Sequence, residues 1–420
     1  MKLFPRVLVA EKKSTLTFYD DRLKDGETIS VYVQSMEKYN LPHSPLYRID
    51  ENSRYRRFLV TFKNGAASFD FTPDGEQRHR VFAEYSDKRF VFEIYSLKSD
   101  LYALNPYKGD GHIHSTASDG LSSPFDTAIA YYAAGFDYIA LTDHHTYSDS
   151  AALSKQFANA GANFKVYPGE EVHNRDMGYF HIINFGANGS VNDIINADPD
   201  GVFDKITKNA DKLAERYALP DGIDKKEFAF RFFVSEKIRE FGGISVLCHP
   251  YWDSYGEYNM QTEMLEFLLK NKIFDAFEVV DDDDRTGNGV NLQTAMYQQL
   301  RSQGIPISIV GSSDCHNVKS ELFDKFFTYA FCNSANDVKT AIRNLKTTAV
   351  ERIGNEYRVY GDFRLVKYTR FLIDNFAPEI REIQSKSAAS LKNAIENKDF
   401  TEIKKINNLT ADFRKEFFGR

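Results

Sequence analysis

Cysteine, long apolar runs and tryptophan are all scarce in this chain, and the first two scarcities exclude whole classes of protein. The three cysteines among 420 residues cannot build a disulfide framework, and without a Cys-x-x-Cys pair they do not form a thiolate zinc finger. No stretch approaches the ~18 consecutive apolar residues that a membrane-spanning helix requires. Near the amino terminus, Pro5 and Arg6 lie where a signal peptide would need its apolar centre. We therefore expect a cytoplasmic protein with no membrane partner.

Aromatic and charged residues are plentiful, and the charge is unevenly distributed. The 35 Phe and 24 Tyr supply enough apolar area for a sizeable core and argue against a disordered chain. Residues 109–356 carry 22 basic and 36 acidic side chains, a balance of −14, whereas both flanks are mildly basic. Eight of the ten histidines lie in this acidic middle. An acidic surface does not need clustered histidines, whereas a metal site does.

The hydrophobic pattern divides the chain into three parts. Residues 1–105 contain short aromatic and β-branched runs separated by turn signals, which predicts a β-sandwich-like domain. In residues 108–356, seven apolar runs alternate with helical stretches, which is typical of a β/α barrel or an open parallel sheet. Residues 357–420 have a helical period and are expected to pack on the barrel. The predicted class is α/β.

In residues 108–356 the hydrophobic pattern sets explicit bounds for the predicted strands and helices. The predicted strands are 111–115, 138–144, 166–173, 179–186, 245–250, 276–281 and 308–314. The predicted helices are 124–134, 148–160, 203–217, 228–241, 261–271 and 291–303. Ser123 is a helix N-cap with a proline directly after it, and Gly135 follows the end of that helix.

Metal-ligating residue types fall at the carboxyl ends of six predicted strands, and that rim is where β/α barrels build their sites. Residues i and i+2 of a strand share a face, so His112 and His114 can hold one ion. Asp314 and His316 form a second such pair. The remaining strand ends contribute Asp119, His144, Glu171, His181 and His249.

Strand alternation also separates these residues from their neighbours. Cys248 and Cys315 are expected to point away from the ligands and to be packing residues. Only one of Glu170 and Glu171 can face the site. His145 is a candidate either for the second shell of the site or for its rim. His173 is expected to be a rim or substrate contact, and Ser312 and Ser313 are candidate hydrogen-bond donors. His43 and His79 are expected to be structural.

A phosphorylated substrate requires positive charge or backbone donors near the metals. Arg175, Arg285 and Lys319 lie just beyond predicted strand ends and are the candidate phosphate contacts. Together with His145 and His173 they make up the predicted substrate-binding set.

Six strings occur in order along the chain: HIHSTASDG, ALTDHH, PGEE, a histidine in the next strand, CHP and SDCH. In order and spacing they resemble the motifs of the polymerase and histidinol phosphatase (PHP) superfamily, over about residues 109–320. The resemblance implies a distorted seven-stranded β/α (TIM-like) barrel, a cluster of two or three divalent ions and hydrolysis of phosphate esters. The imidazole and carboxylate ligand types favour Zn, Mn or Fe.

Carried over by position, the resemblance assigns the ligands to three metal positions. His112, His114 and Asp314 would hold the first, Asp119, His144 and His316 the second, and His181 and His249 the third. Glu171 would bridge the metals. Asp314, His316 and Glu171 are the residues expected to take part in catalysis.

The sequence thus predicts a metal-dependent phosphoric ester hydrolase that uses a metal-bound hydroxide on a small substrate. A nucleotide, a cyclic or diester phosphate and a sugar phosphate all stay open. The alternatives are hydrolysis of a non-phosphate bond on the same cluster and exonuclease action on short oligonucleotides. Long nucleic acid is not expected as a partner, because binding it requires a basic surface that the acidic barrel lacks. The sequence leaves the oligomeric state open.

Overall fold

The structure is a computed structural model, and it describes residues 1–37, 55–174, 180–254, 256–281, 288–320 and 323–420. Helices and strands both occur throughout, so the predicted mixed α/β class is confirmed. The chain forms two compact units. The first comprises residues 1–105, 370–380 and 408–420, and the second comprises residues 106–369 and 381–407.

The first unit consists mainly of short strands, as its aromatic and β-branched runs predict. They are β1 (Lys2–Phe4), β2 (Val7–Val9), β3 (Ser14–Tyr19), β4 (Thr28–Ser35), β5 (Arg56–Thr61), β6 (Ala66–Phe71), β7 (Gln77–Tyr85) and β8 (Lys88–Leu97), followed by the short helix α1 (Ser99–Tyr102). Two sheets result, in the orders β1–β3–β6 and β2–β8–β7–β4–β5. Their buried faces contribute side chains to one apolar cluster, which forms the core of this unit.

The strands of the second unit are mostly short, and six of those in its described residues are buried along their whole length, namely β10, β13, β14, β17, β18 and β19 in the series that follows. They are β9 (Asn105–Asp110), β10 (Tyr138–Ala140), β11 (Lys165–Tyr167), β12 (Gly169–Asn174), β13 (Phe180–Phe185), β14 (Ile244–Leu247), β15 (Asp253–Ser254), β16 (Glu257–Tyr258), β17 (Ala276–Val280), β18 (Ile309–Gly311), β19 (Phe326–Cys332), β20 (Thr347–Ile353) and β21 (Glu356–Gly361).

Helices connect and follow these strands, and the six whose bounds were predicted begin and end within four residues of those bounds. They are α2 (Pro124–Ala133), α3 (Ser148–Ala160), α4 (Val191–Ala197), α5 (Pro199–Tyr217), α6 (Lys225–Glu240), α7 (Thr262–Lys270), α8 (Asn288–Ser302), α9 (Val338–Arg343), α10 (Phe363–Asn375), α11 (Ala377–Glu396) and α12 (Phe400–Phe418). Ser123 caps α2 by accepting a hydrogen bond from the Asp126 amide, as its sequence predicts. Gly135 follows that helix at φ +87°.

Two sheets of the second unit meet at their strand ends. One has the order β11–β10–β9–β19–β20–β21 and the other the order β12–β13–β14–β17–β18. Two isolated parallel bridges join them, between Ile113 and Cys315 and between His144 and Glu171. These bridges lie just beyond β9, β10 and β18, so the carboxyl ends of these strands are drawn together around one region.

The sheets differ from the predicted strands in an informative way. β9 ends at Asp110, so His112 and His114 lie beyond the strand and not within it. The backbone between them forms an isolated bridge with Cys315 and accepts a hydrogen bond from the Thr142 amide, but it does not continue the strand. The prediction that helix begins at residue 357 is also wrong. Residues 356–361 form β21, which pairs antiparallel with β20, and helix begins at Phe363.

Residues near the carboxyl terminus complete the core of the first unit. The Phe371 ring lies 5.3 Å from the ring of Tyr95, and the backbone amide of Arg6 donates a 2.7 Å hydrogen bond to the Phe417 carbonyl. The Arg6 guanidinium also lies over the rings of Phe92 and Phe417. The β-rich unit is therefore built from both ends of the chain, which local sequence patterns do not reveal.

No helix among the described residues combines the length and the apolar character that crossing a membrane requires. This agrees with the absence of long apolar runs in the sequence.

His79 is fully buried in the core of the first unit, between two hydroxyl groups. Its Nδ1 lies 3.0 Å from the Ser35 hydroxyl and its Nε2 lies 2.8 Å from the Ser96 hydroxyl. Burial lowers the pKa of this imidazole to about 4. It is a structural histidine, as its position in the β-rich segment predicts, whereas His43 lies outside the described residues.

We expect the free energy of unfolding to decrease as the pH falls from 6.5 towards 4. In this window the unfolded chain binds a proton at His79 and the folded chain does not, which costs about 2 kcal/mol between pH 7.5 and pH 5. Urea unfolding of wild type and His79→Gln at both pH values tests this. The variant should lose less stability on acidification, and equal losses would contradict the assignment.

Candidate metal centre

The ends of the central strands carry the predicted ligands into one buried cluster. The amide of His114 donates to the Cys315 carbonyl at 3.0 Å, and the amide of Glu171 approaches the Asp143 carbonyl at 3.3 Å. These backbone contacts fix the separations between the ends of four strands. Main-chain contacts therefore help to place the side chains that follow.

The first group of ligand atoms consists of His112, His114, Glu171 and Asp314, whose donor atoms all lie within 4.8 Å of one another. The Asp314 Oδ1 atom is 3.1 Å from His112 Nε2 and 2.9 Å from His114 Nε2. Glu171 Oε2 lies 3.3 and 3.2 Å from the same two nitrogens. Two imidazoles and two carboxylates thus converge on one point.

The second group consists of His114, Asp119, His144 and His316. Asp119 Oδ2 lies 3.4 Å from His316 Nε2 and 3.7 Å from His144 Nε2. The rings of His114 and His316 are stacked at 4.2 Å. This group is more exposed than the first, because Asp119 and His316 lie at the rim.

The third group consists of Glu171, His181 and His249. Glu171 Oε1 lies 2.7 Å from His181 Nδ1 and 3.3 Å from His249 Nε2. Since Glu171 Oε2 faces the other histidines, the two oxygens of one carboxylate divide the cluster between them. The residues predicted to hold three metal positions are thus in contact through Glu171.

Cys248 is closer to the ligands than strand alternation predicts. Its sulfur lies with ligand atoms of His112 and His249 within 4.8 Å. The alternation fails because β14 ends at Leu247 and the backbone then turns, with His249 at φ +23°. Burial raises the pKa of the Cys248 thiol to about 11.

The donor atoms fit a bound cation better than they fit one another. Among the described residues, His114 Nε2, His144 Nδ1 and Asp314 Oδ1 are buried and have no partner in hydrogen-bond geometry. Such orphaned groups are costly in a protein interior. They point to a shared centre, and imidazole with carboxylate is a donor set that suits Zn, Mn or Fe.

The electrostatics of the cluster point to the same conclusion. Burial alone would lower the pKa of His112, but the Asp314, Glu278 and Glu171 carboxylates outweigh it and raise that pKa well above its ordinary value. Burial likewise opposes ionisation of Glu171, yet the surrounding histidines hold its pKa well below the ordinary range. The buried carboxylates thus require nearby positive charge, which a divalent cation supplies.

Neighbouring polar groups hold the loop that carries Asp119. The Asp143 carboxylate accepts hydrogen bonds from the Ser115 amide, the Ser115 hydroxyl and the Ser118 hydroxyl, at 2.7 to 2.9 Å. A Cβ atom at Gly120 would lie 2.6 Å from the His114 carbonyl group. The loop can therefore pass this close to His114 only with glycine at that position.

Three residues of the region have positive φ, namely His145 (+57°), His249 (+23°) and Asp314 (+47°). Non-glycine residues rarely adopt this conformation, and it occurs often at functional sites. All three lie two to five residues beyond a strand end, at Ala140, Leu247 and Gly311.

The predicted substrate contacts are only partly described. The rings of His145 and His173 stack at 5.0 Å, and His173 lies 4.5 Å from His181, so both border the third group. Lys319 is exposed on the loop after His316, and Ser312 is buried after β18. Arg175 and Arg285 lie outside the described residues.

Three residues that the predicted ligand set does not include bear on the site. Glu278, on β17, contacts His112 Nδ1 at 3.1 Å. Trp252, the single tryptophan, lies 5.2 Å from the His181 ring. Glu170 turns away from the ligands and accepts hydrogen bonds from Ser190 and the Val191 amide, so Glu171 alone of the pair faces the cluster. Glu278 and Trp252 stand outside the recognisable motifs, so no local signal marked them.

No family model matches the chain. Over 55 residues it is 46% identical to the DNA polymerase/3'-5' exonuclease PolX of Bacillus subtilis. This match covers 13% of the chain and a tenth of the length of that relative.

Solved structures give fold comparisons at low sequence identity. A two-domain protein from Bacteroides vulgatus that contains a predicted PHP-like metal-dependent phosphoesterase is 18% identical, with a TM-score of 0.40 over 59% of this chain and 65% of that one. An amidohydrolase from Chromobacterium violaceum with bound sulfate is 15% identical, with a TM-score of 0.36 over 56% of this chain and 96% of that one.

The six motifs that occur in order along the sequence are the segments whose side chains meet in the cluster. In these motifs the chain resembles the polymerase and histidinol phosphatase superfamily.

Proposed function

We propose that the protein is a metal-dependent phosphoesterase that hydrolyses a small phosphorylated substrate. The observation that carries this proposal is the position of Glu171, whose two oxygens face separate groups of histidines. A carboxylate in this position suits two or three divalent ions held a few ångströms apart. Bound there, such ions would activate water and neutralise charge on phosphoryl oxygens.

Each ligand group would have a distinct task. His112, His114 and Asp314 would hold the first ion. Asp119, His144 and His316 form the group at the rim, where a substrate can enter. His181 and His249 would complete the third position, and Asp314, His316 and Glu171 are the proposed catalytic residues.

Substrate contacts are proposed for the five residues that the sequence marks as candidates. His145 and His173 border the third group and can donate hydrogen bonds to a phosphoryl oxygen. Lys319, with Arg175 and Arg285, would supply positive charge. An acidic barrel with few rim cations favours one or two phosphates over a polyanion.

The finer architecture is part of the same proposal. The two isolated bridges join strands of the two sheets, and this supports a distorted seven-stranded barrel. Its strands would be β9, β10, β12, β13, β14, β17 and β18. The two sheets with one shared core support a β-sandwich in residues 1–105. The boundary between the sandwich and the barrel, predicted between residues 105 and 108, and the cytoplasmic location stay predictions.

We expect the purified protein to bind two or three equivalents of Zn, Mn or Fe. Elemental analysis after dialysis measures this. His114→Ala should lose at least one equivalent, because His114 contributes to two ligand groups. The matched control is His79→Gln, which changes a histidine of the first unit that belongs to none of the ligand groups. It should bind as many metal equivalents as wild type. A wild-type protein that takes up less than one equivalent on reconstitution would rule out the metal centre.

We expect Asp314→Asn to lower phosphoesterase activity at least about 100-fold, since loss of a ligand exceeds the 10- to 100-fold cost of losing an orienting group. Asparagine tolerates the positive φ at this position, so the backbone is retained. A screen of phosphomonoesters and phosphodiesters on metal-loaded protein is the measurement. Asp149→Asn, an exposed carboxylate on α3, is the control. Activity near wild type for Asp314→Asn would show that the first position is misassigned.

We expect faster hydrolysis of nucleoside mono- and bisphosphates or sugar phosphates than of a long single strand. Repulsion from the acidic barrel acts over about 8 Å at physiological salt, so it discriminates against long polymers more than against short substrates. Turnover of both substrate types at two salt concentrations measures this. A long strand that is the better substrate, and more so at low salt, would reveal a basic track and contradict the expectation. Hydrolysis of carboxylic esters or amides only would favour the alternative function.

A further inference from the structure

Glu278 is a fully buried carboxylate that lies beside the ligand cluster without belonging to any of the ligand groups. It stands in β17, where it pairs with Val310 of β18, and β17 also pairs with β14. β18 precedes Asp314 and β14 precedes His249. Glu278 is therefore held by the two strands that lead to these ligands.

One side of the Glu278 carboxylate fixes the orientation of His112. Its Oε1 and Oε2 atoms lie 3.1 and 3.4 Å from His112 Nδ1. A carboxylate can only accept hydrogen bonds, so the proton of a neutral His112 ring is placed on Nδ1. The lone pair is then on Nε2, the atom that faces Glu171 and Asp314.

The same carboxylate also holds the turn that carries His249. The backbone amide of His249 donates to Glu278 Oε2 at 3.3 Å. This amide belongs to a residue at φ +23°, a conformation that needs support from its surroundings. The turn places His249 Nε2 3.3 Å from Glu171 Oε1, in the third ligand group.

We propose that Glu278 is a positioning residue that sets the tautomer of His112 and the turn at His249, and thereby ties the first metal position to the third. The inference rests on the proposed metal centre and goes beyond it, because it assigns a shared support to two positions. Partners of metal-bound histidines act in this way in general, and their loss weakens metal binding.

The test is the Glu278→Gln variant. Glutamine has nearly the same shape but only one accepting oxygen, so its amide nitrogen must face either the His112 Nδ1–H or the His249 amide, and the repulsion between the two N–H groups displaces the whole side chain from both contacts. We expect Zn affinity, measured by competition with a chelator, to fall about 10- to 100-fold at both the first and the third position. Glu351→Gln is the matched control, since Glu351 is a buried carboxylate of the same unit that contacts Arg358 and Tyr360 and should leave Zn affinity unchanged.

A spectroscopic measurement separates positioning from a merely structural role. Nitrogen-15 NMR of histidine-labelled, Zn-loaded protein should report Nδ1–H for His112 in wild type and a changed signal in Glu278→Gln. Thermal melting of the metal-free proteins checks folding. If Glu278→Gln does not fold, Glu278→Asp retains both oxygens at a greater distance and should give a smaller loss of affinity.

The outcomes are distinguishable. Unchanged Zn affinity and an unchanged His112 signal in a folded variant would overturn the inference, and weakening of one position only would overturn the shared support. A wild-type protein that binds no metal would instead overturn the proposed function.

Discussion

The central interaction of this molecule is the burial of the Glu171 carboxylate among histidines from separate strands. A charge with no access to water must be compensated, and here the compensation comes from imidazoles at 2.7 to 3.3 Å on both of its oxygens. That arrangement requires four or more strand ends to meet within a few ångströms. The bridges at Ile113 and His144, and the packed strands behind them, provide this meeting point.

Around this centre, rigidity is supplied by groups that do not ligate. Asp143 holds the loop that carries Asp119 by accepting hydrogen bonds from Ser115 and Ser118. Glu170 uses the opposite face of β12 to hold the start of α4, and so fixes the strand on which Glu171 stands. Buried polar networks of this kind order a site because each partner has few alternative positions.

Much of the site could be predicted because its residues occur in compact motifs. The pairs His112/His114 and Asp314/His316 are visible locally, and the helix bounds follow from caps such as Ser123. Strand bounds were less accurate. β9 and β18 end before the ligand pairs, since hydrogen-bonded pairing depends on neighbouring strands that one segment cannot specify. The same reason applies to β21, where antiparallel pairing with β20 takes the place of the predicted helix.

The sequence by itself determined the chemical character of this protein: an α/β chain in which imidazoles and carboxylates, and not thiols, follow successive strands. Only the tertiary structure decided how those ligands divide around the two oxygens of Glu171. It also decided that Glu278 supports His112 and that Cys248 faces the cluster. Likewise, only tertiary contacts, such as those of Phe371 and Phe417, show that both ends of the chain belong to one unit. The physical reason is that ligand types and helix caps are local properties, whereas these relations join residues that are distant in sequence and are set by packing.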